Sequence, residues 1–155
     1  MEIEEKQLKD KTLYVCVNNV GRSQMGERFH NDLSPGGADS AGIAVDAPGG
    51  LVGDWIGGAD VICESMEEID LGIADRTRTQ FDDEIAKQYG RIVFMLDHGQ
   101  IPENLDLHGP NRWYWPLPDP RDTRIEQVRE LRNYIWANVG MLAMDRFVDL
   151  SPIYS

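Results

Sequence analysis

Five residues, Val17-Asn18-Asn19-Val20-Gly21, separate Cys16 from Arg22, and Ser23 follows at once. These residue types at this spacing can build a covalent oxyanion site from one short segment. A loop that curls around an anion turns successive main-chain N–H groups inward as a nest. A helix beginning near Arg22 adds its positive end. The guanidinium of Arg22 supplies a planar fork for two oxygens of a tetrahedral anion. The same positive surroundings favour the thiolate of Cys16, which is the reactive form of the side chain. Ser23 is placed to donate a hydrogen bond to that thiolate, and the Asn19 amide to brace the loop. Cys16 is therefore the candidate nucleophile and Arg22 the clamp. Val17, Asn18, Asn19, Val20, Gly21 and Arg22 form the candidate oxyanion cradle. A lone Cys at a strand end is more often a small buried hydrophobe. A lone Arg at a helix start sits unfavourably beside the positive end of the dipole. The combination favours chemistry, because a bound anion would compensate Arg22.

The elements that must position these groups are legible in the pattern. Residues 12–17 (TLYVCV) are β-rich and short, a buried strand that ends at Cys16. The helical stretch RSQMGERFHNDLS follows and stops at Pro35-Gly36-Gly37. Ser40-Ala41-Gly42 reads as the end of a second strand. Residues 43–58, with Pro48, Gly49, Gly50, Gly53, Gly57 and Gly58, read as a long loop. Val61, Ile62, Ser65, Met66 and Ile69 share one face of a helix over 59–69, and Phe81–Gln88 is a shorter candidate. Arg91–Leu96 (RIVFML) is apolar throughout, as central parallel strands are. Arg112–Trp115 is a further short strand. A long helix over 123–144 shows one apolar face at Ile125, Val128, Leu131, Ile135, Val139 and Leu142. Strands alternating with helices predict an α/β domain of three layers with a parallel sheet, and ligands then bind beyond the carboxyl ends of the strands. The expected organisation is a flexible arm over 1–11, the domain over 12–144 and a tail over 145–155.

Composition narrows the functions. The chain has 155 residues, a net charge of −12 and a pI near 4.5, which argues against nucleic acid as a partner. An anion site in such a chain needs a local positive field built against the overall one. No run is apolar enough to span a membrane, so no membrane partner is expected. The N-terminus lacks the basic-then-apolar plan of a secretory signal, so a cytoplasmic location is the default. Two cysteines, Cys16 and Cys63, make no disulfide scaffold, and with three scattered histidines they give no zinc spacing. No metal or bound cofactor is expected. Cys63 on its helix reads as core packing. His98 and His108 read as surface residues, and Trp113, Tyr114 and Trp115 as a mixture of core and pocket wall. One of these three, or Trp55 in the long loop, is a candidate to face a substrate. Asp119 in WPLPDP is either a turn residue or a proton donor.

The run CVNNVGRSQM, after a strand and before a helix, resembles the low-molecular-weight protein-tyrosine phosphatase superfamily, with Ser-Gln-Met after the arginine as in its arsenate reductase branch. Ser40-Ala41-Gly42 is similar to that family's second strand, and Trp115-Pro116-Leu117-Pro118-Asp119-Pro120 resembles its Asp-Pro acid loop. The resemblance spans roughly residues 12–143. It implies a four-stranded parallel sheet flanked by helices. It also implies attack by Cys16, oxyanion binding by the loop amides and Arg22, and protonation of the leaving group by Asp119. Thioredoxin-coupled arsenate reductases carry two further cysteines after the second helix. Here Asp97 stands where the first would align, and Cys63 lies earlier, so an external thiol reductant is implied instead.

Three functions follow as expectations. The first is reduction of arsenate to arsenite through a Cys16 adduct, with a low-molecular-weight thiol and a glutaredoxin-like redox partner. Arg121 and Asp122 favour it, since tyrosine-specific relatives often carry aromatics just after Asp-Pro. The second is hydrolysis of an aryl phosphate, including that of a phosphotyrosine protein, through a phospho-cysteine. The third is a non-catalytic oxyanion sensor, against which Asp119 counts.

Overall fold

The computed structural model describes residues 7–144. Its core is four parallel strands in the order β2-β1-β3-β4, where β1 is Thr12–Cys16, β2 Ala38–Gly42, β3 Arg91–Leu96 and β4 Arg112–Pro116. The helices are α1 (Arg22–Leu33), α2 (Ala59–Glu67), α3 (Asp83–Ala86) and α4 (Ile125–Ala143). The α/β architecture expected from the alternating pattern is present. Every residue of β1 is buried, and β3 is buried from Ile92 to Leu96, which is why both read as unbroken apolar runs.

Side chains alternate between the two faces of the sheet. Tyr14, Val93, Met95 and Trp115 pack with α1, α2 and α4. Leu13, Val15, Ile92, Phe94 and Leu96 point the other way, onto Ala86, Tyr89 and Leu107. All three long helices thus share one face. The opposite face is closed by the single turn of α3 and by the segment after β3. Asp82 caps α3 by accepting from the Glu84 and Ile85 N–H groups. The helix expected over 81–88 shortens to one turn because it covers only one end of that face.

Three sequence expectations need correction. Residues 7–11 are not part of a loose arm. They form a turn over Leu8–Asp10, and the carbonyls of Leu8 and Lys11 accept from Gly90 N–H at 3.2 and 3.1 Å. Residues 1–6 and the tail 145–155 lie outside the described residues. The 43–58 segment is more ordered than a Gly-rich loop suggests. It carries a turn at Val52–Asp54 and exchanges main-chain hydrogen bonds with residues 74–78, including Gly49 N to Arg78 O at 2.8 Å and Val52 N to Arg76 O at 2.9 Å. Ile69 falls beyond the end of α2 and is exposed, since the chain leaves the helix at Glu68.

The sheet order places β1 between β2 and β3, so the loops after β1, β3 and β4 open on one edge. The fit of α1 over that sheet depends on Gly26. A Cβ there would lie 2.8 Å from Cδ1 of Tyr14 and 2.9 Å from Cγ. The ring cannot turn away, because it is fully buried and its hydroxyl bonds His30 Nδ1 at 2.8 Å. Two effects oppose each other in Gly26→Ala. Alanine gains about 1 kcal/mol of helix propensity, whereas overpacking of a tight core costs about 1–3 kcal/mol. The rigidity of the ring favours the second. We expect Gly26→Ala to lower stability by about 1 kcal/mol or more in chemical denaturation, and an unchanged or raised midpoint would show that α1 can move off the sheet.

Candidate active site

The loop after β1 is held open by donors that take its carbonyls from outside. Cys16 O and Val17 O accept from the N–H groups of Ile43 and Ala44, each at 2.9 Å. Asn18 O accepts from Arg78 Nε at 3.2 Å, Asn19 O from Gln24 Nε2 at 3.3 Å, and Gly21 O from Met25 N at 2.9 Å. With the carbonyls turned outward, the amides face the other way. No acceptor among the described residues takes the N–H groups of Asn18, Asn19, Val20 or Gly21. Orphaned donors of this kind in one concave loop make an anion nest. Gly42 permits the arrangement. A Cβ there would lie 2.4 Å from Val17 O and 2.8 Å from Asn19 N, so no side chain fits where the loop crosses the end of β2.

Asn19 fixes the shape. It adopts the left-handed conformation, φ 57°, in which Asn is tolerated. It is fully buried and its side chain makes all four of its possible hydrogen bonds. Nδ2 donates to Ser23 Oγ at 2.8 Å and to Ser40 Oγ at 2.9 Å. Oδ1 accepts from Gln24 Nε2 at 3.1 Å and from Thr79 N at 2.8 Å. Ser23 Oγ lies 2.9 Å from Cys16 Sγ. Because Ser23 already accepts from Asn19, its own proton is available to point at the sulfur.

Arg22 opens α1 and is 2% exposed. Its Nη1 donates to Gln100 Oε1 at 2.9 Å and to Leu117 O at 3.0 Å. Its Nη2 lies 3.7 Å from Asp119 Oδ2, and its Nε is buried without a partner among the described residues. The Nε–Nη2 edge is therefore the available fork for two oxygens of an anion. Arg78, also 2% exposed, reaches the loop from the other side and pairs with Asp46 at 2.5 Å. Two buried guanidinium groups thus build a local positive field in a chain of net charge −12. Asp119 stands across from Cys16, its Oδ1 accepting from Arg121 N–H at 2.9 Å and its Oδ2 from Gln100 Nε2 at 2.7 Å.

Cys16, Val17, Asn18, Val20, Gly21 and Arg22 line a cavity of about 20 Å³ whose outer wall is Trp55, Ile62, Asp119 and Pro120. Larger clefts occur elsewhere, such as one of about 550 Å³ beside Glu27 and Tyr89, which is lined by no cysteine. Trp55 is the aromatic residue that reaches the site. Its Nε1 donates to Asp46 Oδ2 at 3.1 Å, and the Arg121 guanidinium lies 5.4 Å from its ring centroid. Trp115 is core instead, 6.4 Å from the Tyr14 ring, while Tyr114 meets the exposed His98 at 5.6 Å. His98 and His108 do not line the cavity. Cys63 is buried in the helical core, and burial together with Glu67 and Asp60 pushes its thiol up to about 11.

The sequence missed Gln100, Arg78 and Asp46. Nothing local marks them, since they act across 78, 60 and 32 residues of chain.

No protein-family model matches the chain. In sequence it is 27% identical over 142 residues to an arsenate reductase of Staphylococcus aureus (strain N315), a match that covers 88% of this chain and 95% of that protein. In structure it resembles an arsenate reductase in the phosphate binding state, with a TM-score of 0.69 at 23% identity over 89% of this chain and 99% of that one. It also resembles a low molecular weight protein tyrosine phosphatase from T. tengcongensis, with a TM-score of 0.69 at 18% identity over 87% and 98% of the two chains. The chain has the low-molecular-weight protein-tyrosine-phosphatase fold. These similarities agree with the resemblance carried by CVNNVGRSQM, in sequence to proteins named arsenate reductase and in fold to a reductase and a phosphatase. Both reactions fall within that likeness, and the choice between them turns on the site itself.

The two cysteines should differ sharply in reactivity. Near neutral pH, iodoacetate is expected to label Cys16 and spare Cys63, whose thiol stays protonated until the pH approaches 11. Phosphate or arsenate should block the labelling of Cys16. Peptide mapping after brief alkylation measures both, and equal labelling unaffected by either anion would remove the anion nest.

Proposed function

We propose that this protein reduces arsenate to arsenite with an external thiol. The observation that carries the reading is the size of the cavity at Cys16. One water needs about 10–15 Å³ of such space, so about 20 Å³ matches a compact oxyanion better than a larger group. Trp55 forms part of the cavity wall. It is held there by Asp46 and faced by Arg121, whose positive charge at the rim suits an incoming anion. The curated relatives at 27–28% identity are arsenate reductases, which supports the same reading.

The steps follow from the groups present. Arsenate seats its oxygens on the loop amides and on the Nε–Nη2 edge of Arg22. The Cys16 thiolate, with Ser23 donating to it, attacks arsenic and forms an S–As bond. An arsenate oxygen leaves as water, and Asp119 is placed to protonate it. An external thiolate then attacks the Cys16 sulfur. The S–As electron pair leaves with arsenic, which is reduced from As(V) to As(III) and departs as arsenite. Cys16 is left in a mixed disulfide, and a second thiol clears it. The sum is two thiols oxidised to a disulfide for one arsenate reduced. Cys63 is a poor resolving group because its thiol is buried and stays protonated. The electrons are therefore assigned to a low-molecular-weight thiol with a glutaredoxin-like partner.

A second reading, hydrolysis of a phosphate ester, is favoured by Asp119. The same carboxyl can protonate an ester oxygen, after which water resolves a phospho-cysteine. In that case Asp119→Asn should slow esters with poor leaving groups by about 10²–10⁴-fold and activated ones far less.

The deciding measurement pairs two assays on pure protein. Arsenate-dependent oxidation of a small thiol with a glutaredoxin-like protein is expected to turn over many times and to survive Cys63→Ser. Thioredoxin with its reductase alone is expected to give no multiple turnover. Aryl phosphate hydrolysis should be slow in the wild type and faster in Trp55→Ala, which opens the wall. No arsenate turnover in either system, beside brisk aryl phosphate hydrolysis, would transfer the assignment to the phosphatase.

A further inference from the structure

Gln100 closes the turn His98–Gln100 that follows β3, and its side chain lies between the two groups that the chemistry needs on opposite sides of the substrate. Its Oε1 accepts from Arg22 Nη1 at 2.9 Å and from Asp97 N–H at 3.1 Å. Its Nε2 donates to Asp119 Oδ2 at 2.7 Å. These contacts fix which way the amide points. Turned over, the NH₂ would face a guanidinium and a main-chain N–H, and the oxygen would face a carboxyl group, so all three contacts would be lost. Arg22 and Asp119 come from different elements, 78 and 19 residues away along the chain, and Gln100 contacts both.

The consequence lies in what Gln100 leaves for the substrate. Gln100 Oε1 and Leu117 O together take both protons of Nη1. Arg22 cannot then swivel to present that end, and its buried, unpartnered Nε and its Nη2 remain as the edge toward the cavity. At 3.7 Å, Nη2 is only a loose partner for Asp119, and an anion on that edge would compete for it. While Arg22 is occupied, the 2.7 Å hydrogen bond from Gln100 holds Asp119 Oδ2, the oxygen that faces Arg22, and Arg121 N–H holds Oδ1 at 2.9 Å.

We propose that Gln100 is a positioning residue that couples the oxyanion-facing edge of Arg22 to the placement of Asp119, so that anion binding and proton delivery depend on one side chain. This rests on the oxyanion chemistry proposed above. The simpler role for Gln100 is to cap its own turn, and that role needs only the bond from Asp97 N–H.

Two readouts separate these roles in Gln100→Leu, Gln100→Glu, Asp119→Asn and the double variant Gln100→Leu/Asp119→Asn. The first is the arsenate or phosphate concentration that half-protects Cys16 from iodoacetate, which needs no turnover. The second is the rate of arsenate reduction, or of phenyl phosphate hydrolysis if arsenate is not reduced. Gln100→Leu should weaken protection by about 10-fold and slow turnover by about 10–100-fold, the range for hydrogen bonds to charged groups. Gln100→Glu keeps an acceptor for Asp97 and Arg22 and should hold thermal stability. It sets a carboxylate against Asp119, so its turnover should fall over the same range. In the double variant the turnover losses should not multiply, since removing Asp119 removes what Gln100 positions. Wild-type turnover and protection in both Gln100 single variants would overturn the coupling, as would fully multiplicative losses. If neither anion protects the wild-type protein, the oxyanion reading itself falls and this proposal with it.

Discussion

The four hydrogen bonds of the Asn19 side chain hold the loop between β1 and α1 in its shape, and the rest of the site depends on them. They tie the loop to Ser23 and Gln24 of α1, to Ser40 of β2 and to the main chain at Thr79. A backbone bent through φ 57° inside the protein stays bent only when its surroundings determine it. Four buried bonds do so here. With the bend fixed, the carbonyls point outward to Ile43, Ala44 and Arg78, and the amides are left to face a ligand. The same amide donates to the serine oxygen and so leaves the Ser23 proton available to Cys16. A single neutral side chain therefore sets both the nest and the environment of the sulfur.

Charge is handled locally in a chain that is acidic as a whole. Burying a guanidinium is costly unless its donors are paired. Arg78 is paired with Asp46 and with the Asn18 carbonyl, so its charge sits behind the loop as part of the scaffold. Arg22 is only partly satisfied. Two of its protons are taken by Gln100 and Leu117, while its Nε has no partner among the described residues. An incompletely satisfied buried cation is expensive in the empty site and becomes favourable when an anion arrives. This difference between the two arginines separates support from binding more clearly than burial does, since both are equally buried.

The wall of the cavity is the part of the site on which the proposed choice of reaction rests. The loop, Arg22 and Asp119 would serve either proposed reaction equally, because both would start from a sulfur attacking a tetrahedral centre. The space beyond that centre differs. Here it is narrowed by Trp55, brought in by a segment whose main chain is pinned to residues 74–78 and whose indole is tied to Asp46. Gly21 completes the closure. A Cβ there would lie 2.9 Å from Pro120, so its bareness lets the acid loop approach the nest closely.

The contiguous part of the site was legible in the sequence. Cys16, Asn19, Gly21, Arg22 and Ser23 lie within eight residues between a strand and a helix, so their types and spacing can be read together without knowing the rest of the fold. The strands and the long helix were legible for a similar reason, since burial on one or both faces leaves a period in the chain. The order of the strands, the short α3 and the pinned 43–58 segment were not. Nor was the choice of Trp55 over Trp113 and Trp115 as the aromatic wall, since all three look alike as residues. Arg78 and Gln100 were not singled out, because a polar side chain gives no local sign of the partner that will bury it. Those roles depend on the register of β1, β3 and β4, which brings the turn after Leu96 beside the loop after Cys16 and the loop after Pro116 beside both. The sequence by itself determined which residues can hold an oxyanion and attack it. Only the tertiary structure decided what those residues lean on and how large a substrate they admit, because hydrogen bonds spanning 60 and 78 residues form only after the sheet has set the distances between their ends.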